Sequence, residues 1–94
     1  MRPKERVTAR QSLDKRLNKL RNSEALKRPP RGWIRAVRDA LGMTSSQLAR
    51  RLGVVQSRVT VMEQAETRQT LTLATLEKAA QAMDCQLVYA LVPR

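Results

Sequence analysis

The sequence predicts a mostly α-helical fold, with a small helical bundle between a basic helical arm and one short C-terminal β-strand. Two observations support the helices: apolar residues recur at helical spacing in five stretches, and single glycines stand at boundaries between stretches. The last apolar run is rich in the β-branched and aromatic residues that strands favour. With 94 residues the chain can build one modest core. We therefore expect an arm with its linker over 1–31, the bundle over 32–85, and the strand, a candidate dimerisation element, over 86–94.

The arm begins the chain and carries most of its charge. A helix is predicted from Pro3 to about Arg21, because leucines repeat there at helical spacing. These leucines are Leu13, Leu17 and Leu20. Residues 1–31 hold eleven Lys or Arg against three acidic residues, in a chain of net charge +11. This excess argues for a polyanionic partner. A membrane is not supported as that partner, because no apolar run approaches the roughly 20 residues of a spanning helix.

A linker and a second helix follow the arm. Two consecutive prolines exclude helix from residues 22–32, and the next helix is predicted over 32–41. Its inward-facing residues are predicted to be Ile34, Val37 and Leu41. Trp33 is interpreted as a core or hinge anchor. It and Tyr89 are the only aromatic residues of the chain, too few for a platform on which bases stack.

The centre of the chain, residues 44–64, is predicted to form two short helices that meet at Gly53. Thr44 or Ser45 can cap the first helix, and Gly53 can end it in a left-handed conformation that a side chain would penalise. Helices joined so closely cross steeply, and Ala49 supplies a small residue at the contact. The inward-facing residues are predicted to be Leu48, Ala49, Leu52, Val59 and Met62. The residues predicted to face away from the core are Gln56, Ser57, Arg58, Thr60 and Val61.

A polar loop over 65–70 and a last helix complete the bundle. Thr70 or Thr72 is placed to cap this helix, which should run through about Met83. Its buried face is predicted to be Leu73, Leu76, Ala79, Ala80 and Met83. Cys85 is interpreted as a small buried hydrophobic residue at the helix end, with a redox thiol as the alternative. A single cysteine cannot form an internal disulfide, which fits a reducing cytoplasm.

Residues 86–92 are predicted to form the strand, bounded by Asp84 and Pro93. A lone strand has unpaired backbone groups and needs a partner. Pairing with a second copy across a two-fold axis would satisfy both edges. Packing on the chain's own helices and pairing with another protein's strand are the alternatives. The residues of this dimer or partner strand are predicted to be Leu87, Val88, Tyr89, Ala90 and Leu91.

The composition argues against an enzyme. The chain has no histidine, which removes the commonest general base and metal ligand, and one cysteine cannot make a zinc site. Its three glycines are isolated, so no glycine-rich phosphate loop exists. We therefore expect no catalytic residue, no metal and no cofactor.

The central helix pair resembles the Cro/C1 (XRE-type) helix-turn-helix pattern, and the match spans roughly residues 33–85. The residues that carry the resemblance are Ala49, Gly53, Gln56, Ser57, Val59 and Glu63. The resemblance implies a cytoplasmic protein that binds double-stranded DNA, with the second helix of the pair entering the major groove. It also implies a helix-turn-helix bundle as the fold of the 32–85 segment.

The resemblance assigns roles residue by residue. Base contacts are expected from Gln56, Ser57, Arg58, Thr60 and Val61. Phosphate contacts are expected from Thr44, Ser45, Ser46, Gln47 and Arg68. Arg38 and Glu63 stand where relatives often have a structural ion pair. Two residues depart from the pattern: Val55 occupies a position that usually carries a capping Ser or Thr, and Glu66 places a negative charge in a loop expected near phosphate.

A narrower resemblance spans nearly the whole chain. The runs RPPRGWIRAVRDALGM, SQLARRLGV and LTLATLEKAAQAMDCQLVYALVP resemble the family called mobile mystery protein A. Members of that family resemble transcription regulators found beside a Fic-domain protein, in an arrangement like a toxin–antitoxin pair. Small Fic antitoxins often carry a Ser or Thr four residues before an inhibitory Glu. Leu20, Val59, Met62 and Leu73 stand four residues before glutamates here, which argues against inhibition by that route.

Two functions of different class follow. One is a homodimeric, sequence-specific DNA-binding regulator of its own operon, antitoxin-like and paired with the Fic protein. The other is an interaction module that binds and controls the Fic protein, with DNA binding secondary. An RNA-binding function is a third and less well supported hypothesis, because the chain has too few aromatic residues for stacking unpaired bases. The arm is either solvated and partly disordered, or wraps DNA or a partner protein.

Overall fold

The structure is a computed structural model that describes residues 3–93. Within that range the chain is mostly α-helical, as the sequence predicts. The elements are α1 (Pro3–Asn18), a 3₁₀ helix (Glu24–Leu26), α2 (Trp33–Ala40), α3 (Ser45–Leu52), α4 (Gln56–Thr67) and α5 (Leu73–Ala82). The chain divides into two compact units. Residues 28–87 form the helical bundle, and α1 with the tail from Val88 onward belongs to the other unit.

The bundle is built around α3, which packs against both α4 and α5, while α2 packs against α4 and α5. Its core consists of Ile34, Met43, Leu48, Ala49, Val59, Met62, Ala79 and Met83. Leu48 and Val59 have no exposed surface, and Ala49 is buried beside them. The small side chain of Ala49 lies in the core that α3 and α4 share, which fits the close approach that their short connection requires.

The turn between α3 and α4 has the conformation that its glycine predicts. Gly53 ends α3 in the left-handed region, with φ 70° and ψ 33°. The N–H of the next residue, Val54, donates to the carbonyl of Ala49 at 2.9 Å. A residue with a Cβ would be sterically strained at this positive φ, so the glycine determines where the first helix of the pair ends.

Three side chains predicted to be inward are exposed instead. Leu41 is 54% exposed, because α2 ends just before it and Met43 takes the core position after the turn. Leu73 is 50% exposed, because it occupies the first turn of α5 and faces solvent there. Cys85 is exposed, since α5 ends at Ala82 and the chain turns through Asp84 (φ 57°) before reaching the thiol. These three predictions were wrong.

The predicted C-terminal strand is also wrong. Among residues 3–93 no segment is assigned as a strand, and 86–92 is irregular backbone. A strand is defined by pairing, and nothing in the described part of this single chain pairs with the tail. Val88, Tyr89 and Leu91 are 75%, 72% and 88% exposed. Within the same unit the Nε of Arg21 donates to the carbonyl of Pro93 at 3.0 Å.

The helix α1 spans most of its predicted range but buries no residue. Its leucine stripe is partly covered at Leu17 and open at Leu13. None of the helices within residues 3–93 has the length and apolar character needed to cross a membrane.

Candidate nucleic-acid interface

The outward face of α4 carries all five residues predicted to contact bases. Gln56, Ser57, Arg58, Thr60 and Val61 are exposed. The opposite face of the same helix is anchored in the core by Val59 and Met62. Since residues three and four apart share a helix face, the burial of Val59 and Met62 turns the opposite face of α4 outward. Nothing in the bundle covers that face.

The first residue of α4 is held by the first residue of α3. The Nε2 of Gln56 donates to the Oγ of Ser45 at 2.9 Å. This hydrogen bond ties the starts of the two helices together and limits the rotation of the Gln56 amide. The amide retains its Oε1 acceptor and a second N–H of Nε2, the pair of groups that can match the edge of an adenine.

The start of α3 is closed by a reciprocal capping box. The Oγ1 of Thr44 accepts from the N–H of Gln47 at 3.1 Å, and the Oε1 of Gln47 accepts from the N–H of Thr44 at 2.8 Å. Of the N–H groups at this start, those of Ser45 and Ser46 remain for an anion. The start of α4 has no such side-chain cap, because Val55 occupies the N-cap position.

Arg38 and Glu63 form a bidentate ion pair between α2 and α4. The Nε of Arg38 lies 2.7 Å from Oε2 of Glu63, and its Nη2 lies 3.1 Å from Oε1. A third bond runs from Nη1 of Arg38 to the carbonyl of Met43 at 3.0 Å. The hydrogen bond to Glu63 raises the pKa of Arg38, against the lowering effect of burial, so the guanidinium stays charged. Both side chains are buried, and their role is to join the helices.

Glu66 has a role that the sequence reasoning missed. We expected it in a loop near phosphate, but α4 continues to Thr67 and the carboxylate is buried. Its Oε2 accepts from the N–H of Trp33 at 2.7 Å, and its Oε1 accepts from the N–H of Ile34 at 2.9 Å. Glu66 therefore caps α2 from another helix.

The residue before α2 is the sequence feature that could have indicated this cap. Gly32 is the N-cap residue, at φ 87°, and has no side chain to accept from the first N–H groups of the helix. A Cβ at this position would lie 2.7 Å from Oε1 of Glu66, so the glycine also makes room for the carboxylate. A helix that begins after Gly without Ser, Thr, Asp or Asn must find an acceptor elsewhere.

The other predicted site residues lie apart from these helix starts. Arg68 is exposed and forms the C-cap of α4. Of the predicted partner-strand residues, Leu87 is half-buried and Val88, Tyr89, Ala90 and Leu91 are exposed. No group of His, Cys, Asp or Glu within residues 3–93 could hold a metal ion. The structure thus brings together the α3 start, Gln56 and the outward face of α4.

Two short helices joined at a left-handed glycine, with the second presenting an uncovered polar face, define a helix-turn-helix domain of DNA-binding regulators. The family model for helix-turn-helix matches residues 34–89, more than half of the chain. The chain therefore belongs to the Cro/C1-type helix-turn-helix family. Comparisons with curated proteins and with solved structures gave no match. This family is a family of DNA-binding domains and is not typically enzymatic.

Proposed function

We propose that this protein is a sequence-specific regulator that binds double-stranded DNA as a homodimer and controls its own operon. The observation that supports this most directly is the uncovered N-terminal half of α4, where Gln56 is exposed and held by Ser45. A side chain that reads a base must be both accessible and oriented. Gln56 meets both conditions in the free protein.

The neighbouring side chains extend the proposed reading surface. Ser57 can donate or accept, and the methyl groups of Thr60 and Val61 suit the methyl groups of thymine. Arg58 can reach either a guanine or a phosphate. On the α3 side, the N–H groups and hydroxyls of Ser45 and Ser46 can position the domain on a phosphate without reading sequence.

The experiment compares two glutamine variants on DNA. A preferred site is first selected from a random pool of duplexes, and affinity is then measured by fluorescence anisotropy on that site and on random DNA. Gln56→Ala should lower the preference for the selected site by about 1–3 kcal/mol, the value of a good bidentate base contact. Gln81→Ala removes the same side chain from an exposed position on α5 and should leave the preference unchanged.

The selected site also tests the proposed dimer. Two half-sites should lie about one helical turn, roughly 34 Å, apart. If wild-type protein binds all duplexes alike, or Gln56→Ala keeps the full preference, the proposed sequence-specific function is wrong. A single half-site with monomeric protein in the complex would contradict the homodimer while leaving base reading intact.

A second candidate function rests on the exposed tail. Val88, Tyr89 and Leu91 place apolar side chains in solvent, where a strand of another protein could cover them. The resemblance to mobile mystery protein A makes a Fic-domain protein the proposed partner, with this chain as its antitoxin-like regulator. A stable complex that survives the Gln56→Ala, Arg58→Ala double variant but is lost on removal of residues 1–31 or of the tail would favour this interaction role.

A further inference from the structure

A cleft on the bundle carries a positive charge that the proposed reading surface does not use. Its volume is about 330 Å³, and it lies between the linker, α2 and the C-terminal half of α4. Its principal lining residues are Arg31, Arg35, Thr60, Gln64, Thr67 and Arg68. We call it the arginine cleft.

The arginines of the cleft lack strong anionic partners. Among residues 3–93, no carboxylate forms an ion pair with Arg31 or Arg68. The Nε of Arg35 has no accessible surface and no hydrogen-bond partner, and the nearest ion-pair contact is Asp39 Oδ2 at 3.6 Å. Since no ligand can reach this Nε, only the terminal Nη groups of Arg35, whose side chain is 40% exposed, can donate to an anion in the cleft.

The one carboxylate that lines the cleft does not neutralise these arginines. Glu63 belongs to the cleft wall, but both of its oxygens accept from Arg38, at 2.7 and 3.1 Å. The pair carries no net charge. Arg31 and Arg68 therefore remain on this concave surface without a carboxylate partner, and Arg35 joins them with only the long 3.6 Å contact to the exposed Asp39.

Contacts across the cleft floor hold its parts together. The hydroxyl of Thr67 lies 3.0 Å from the carbonyl of Glu63 and 3.3 Å from the carbonyl of Arg31. Nη1 of Arg28 donates to the carbonyl of Glu66 at 3.3 Å. These bonds fasten the backbone of the linker to the end of α4, so the position of Arg31 is set by the fold.

The cleft continues the reading face of α4. Gln56, Thr60 and Gln64 follow one another at four-residue spacing and share a face of the helix. Gln64 lies two turns beyond Gln56, which is about 12 Å along the helix axis. That length is close to the width of the major groove, about 12 Å between its walls. Because Gln56 is bonded to Ser45, a helix that places the α3 start at one wall of the groove places the cleft near the phosphates of the other wall.

We propose that the arginine cleft binds a phosphodiester of the DNA that α4 reads, at the opposite end of the reading face from the α3 start. Arg31 and Arg35 thereby become DNA contacts in addition to Arg68. The two anchoring points, the N–H groups of Ser45 and Ser46 on one side and the cleft on the other, fix how deeply α4 enters the groove. This inference rests on the proposed DNA-binding function.

The test measures how affinity depends on salt. The probes are a fluorescein-labelled duplex carrying the selected site and a random duplex of equal length. Each phosphate contact contributes about 0.9 to the slope of log K against log salt concentration. Arg31→Gln and Arg68→Gln should each lower the slope by about 0.9 and weaken binding to both duplexes roughly eightfold at 0.1 M salt. The double variant should lose both contributions.

Three controls make the result specific. Lys78→Gln removes one charge from an exposed site on α5 and should change the slope much less than either cleft variant. Arg31→Lys with Arg68→Lys keeps the charges and should retain most of the slope. Thermal unfolding followed by circular dichroism verifies that each variant is folded, and Arg31→Ala or Arg68→Ala replaces a Gln variant that is not.

Each other outcome overturns the cleft proposal. Slopes in the cleft variants equal to that of Lys78→Gln, with normal wild-type binding, would overturn it while leaving the proposed function standing. Cleft variants that lose binding of inorganic phosphate, followed by NMR titration, yet keep their DNA slope would show that the cleft takes a free anion instead. Wild-type protein that binds neither duplex would overturn both proposals.

Discussion

The two compact units of this chain use the same residue types in different ways. The bundle, residues 28–87, buries eight apolar side chains, whereas α1 buries none. Leu48 in α3 has no exposed surface, while Leu13 in α1 is 49% exposed. Both leucines belong to regular helical stripes in the sequence. A stripe becomes a core only when another apolar surface covers it, and the bundle supplies that surface for α3.

Acidic residues show the same contrast. Glu63 and Glu66 are buried in the bundle, and each accepts two hydrogen bonds from α2. Glu24, in the other unit, lies 2.8 Å from Lys27, but both side chains are mostly exposed. Exposed pairs of this kind contribute about 0–1 kcal/mol, whereas removing one member of a buried pair costs several times more. Burial therefore decides which charges hold the fold.

The largest expected loss of stability is at Leu48, and Leu13 serves as its comparison. Leu48→Ala leaves a cavity where no solvent reaches and should lower the free energy of unfolding by about 3–4 kcal/mol. A domain of this size is stable by roughly 3–9 kcal/mol, so the variant should be partly unfolded at 37 °C. Leu13→Ala should change the free energy by less than about 0.5 kcal/mol. Urea unfolding followed by circular dichroism measures both, and equal losses would break the contrast between the units.

The next largest loss in the free energy of unfolding is expected at the buried Glu63, with the exposed Glu24 as its comparison. Glu63→Ala leaves the buried Arg38 with only the exposed Asp39 as an ionic partner, at 3.7 Å, and should cost about 3 kcal/mol, whereas Glu24→Ala should cost less than about 0.5 kcal/mol. Because the pKa of Arg38 is raised, the stability that its charge contributes is complete below its unfolded pKa and is lost only in strong base. This contribution should therefore be constant between about pH 5 and pH 9.

A double variant checks the cause of that loss. Arg38→Met with Glu63→Leu replaces both charges with apolar side chains and should recover much of the stability lost in Glu63→Ala. A double variant as unstable as Glu63→Ala would show that the loss comes from packing instead of a buried charge that has lost its main partner.

The sequence predicted the parts of the bundle that depend on local pattern. Helical periodicity placed Leu48, Ala49, Val59 and Met62 in the core, and Gly53 located the turn. These features follow from spacing and from backbone conformation, which neighbouring residues determine. The same rules located the exposed face of α4. Whether that face reads DNA bases stays a prediction, because contacts with a partner are absent from any sequence pattern.

The wrong predictions concern features that depend on residues far apart in the sequence. Leu73 and Leu41 match the helical period of their neighbours, but each lies at a helix end, where the core no longer covers that face. The tail has strand-forming residues, yet a strand requires a pairing backbone that this chain does not provide within residues 3–93. The role of Glu66 depends on α2 lying beside the end of α4, a contact 32 residues away along the chain.

The smallest of the three stability effects concerns that cap. Glu66→Ala removes the acceptor for the N–H groups of Trp33 and Ile34, and we expect a loss of about 2 kcal/mol. Glu77→Ala, an exposed glutamate on α5, is the matched control and should be nearly silent. The loss should be local: hydrogen exchange at the amides of Trp33 and Ile34, followed by NMR, should accelerate by more than tenfold while the amide of Val59 changes less. Acceleration confined to α5, or none at α2, would contradict the cap.

The same cap also bears on DNA binding. Because the first turn of α2 adjoins the linker that carries Arg31, fraying of that turn would also loosen the arginine cleft. Glu66→Ala should therefore reduce the salt slope of DNA binding, although the loss of an acidic residue would by itself favour phosphate binding.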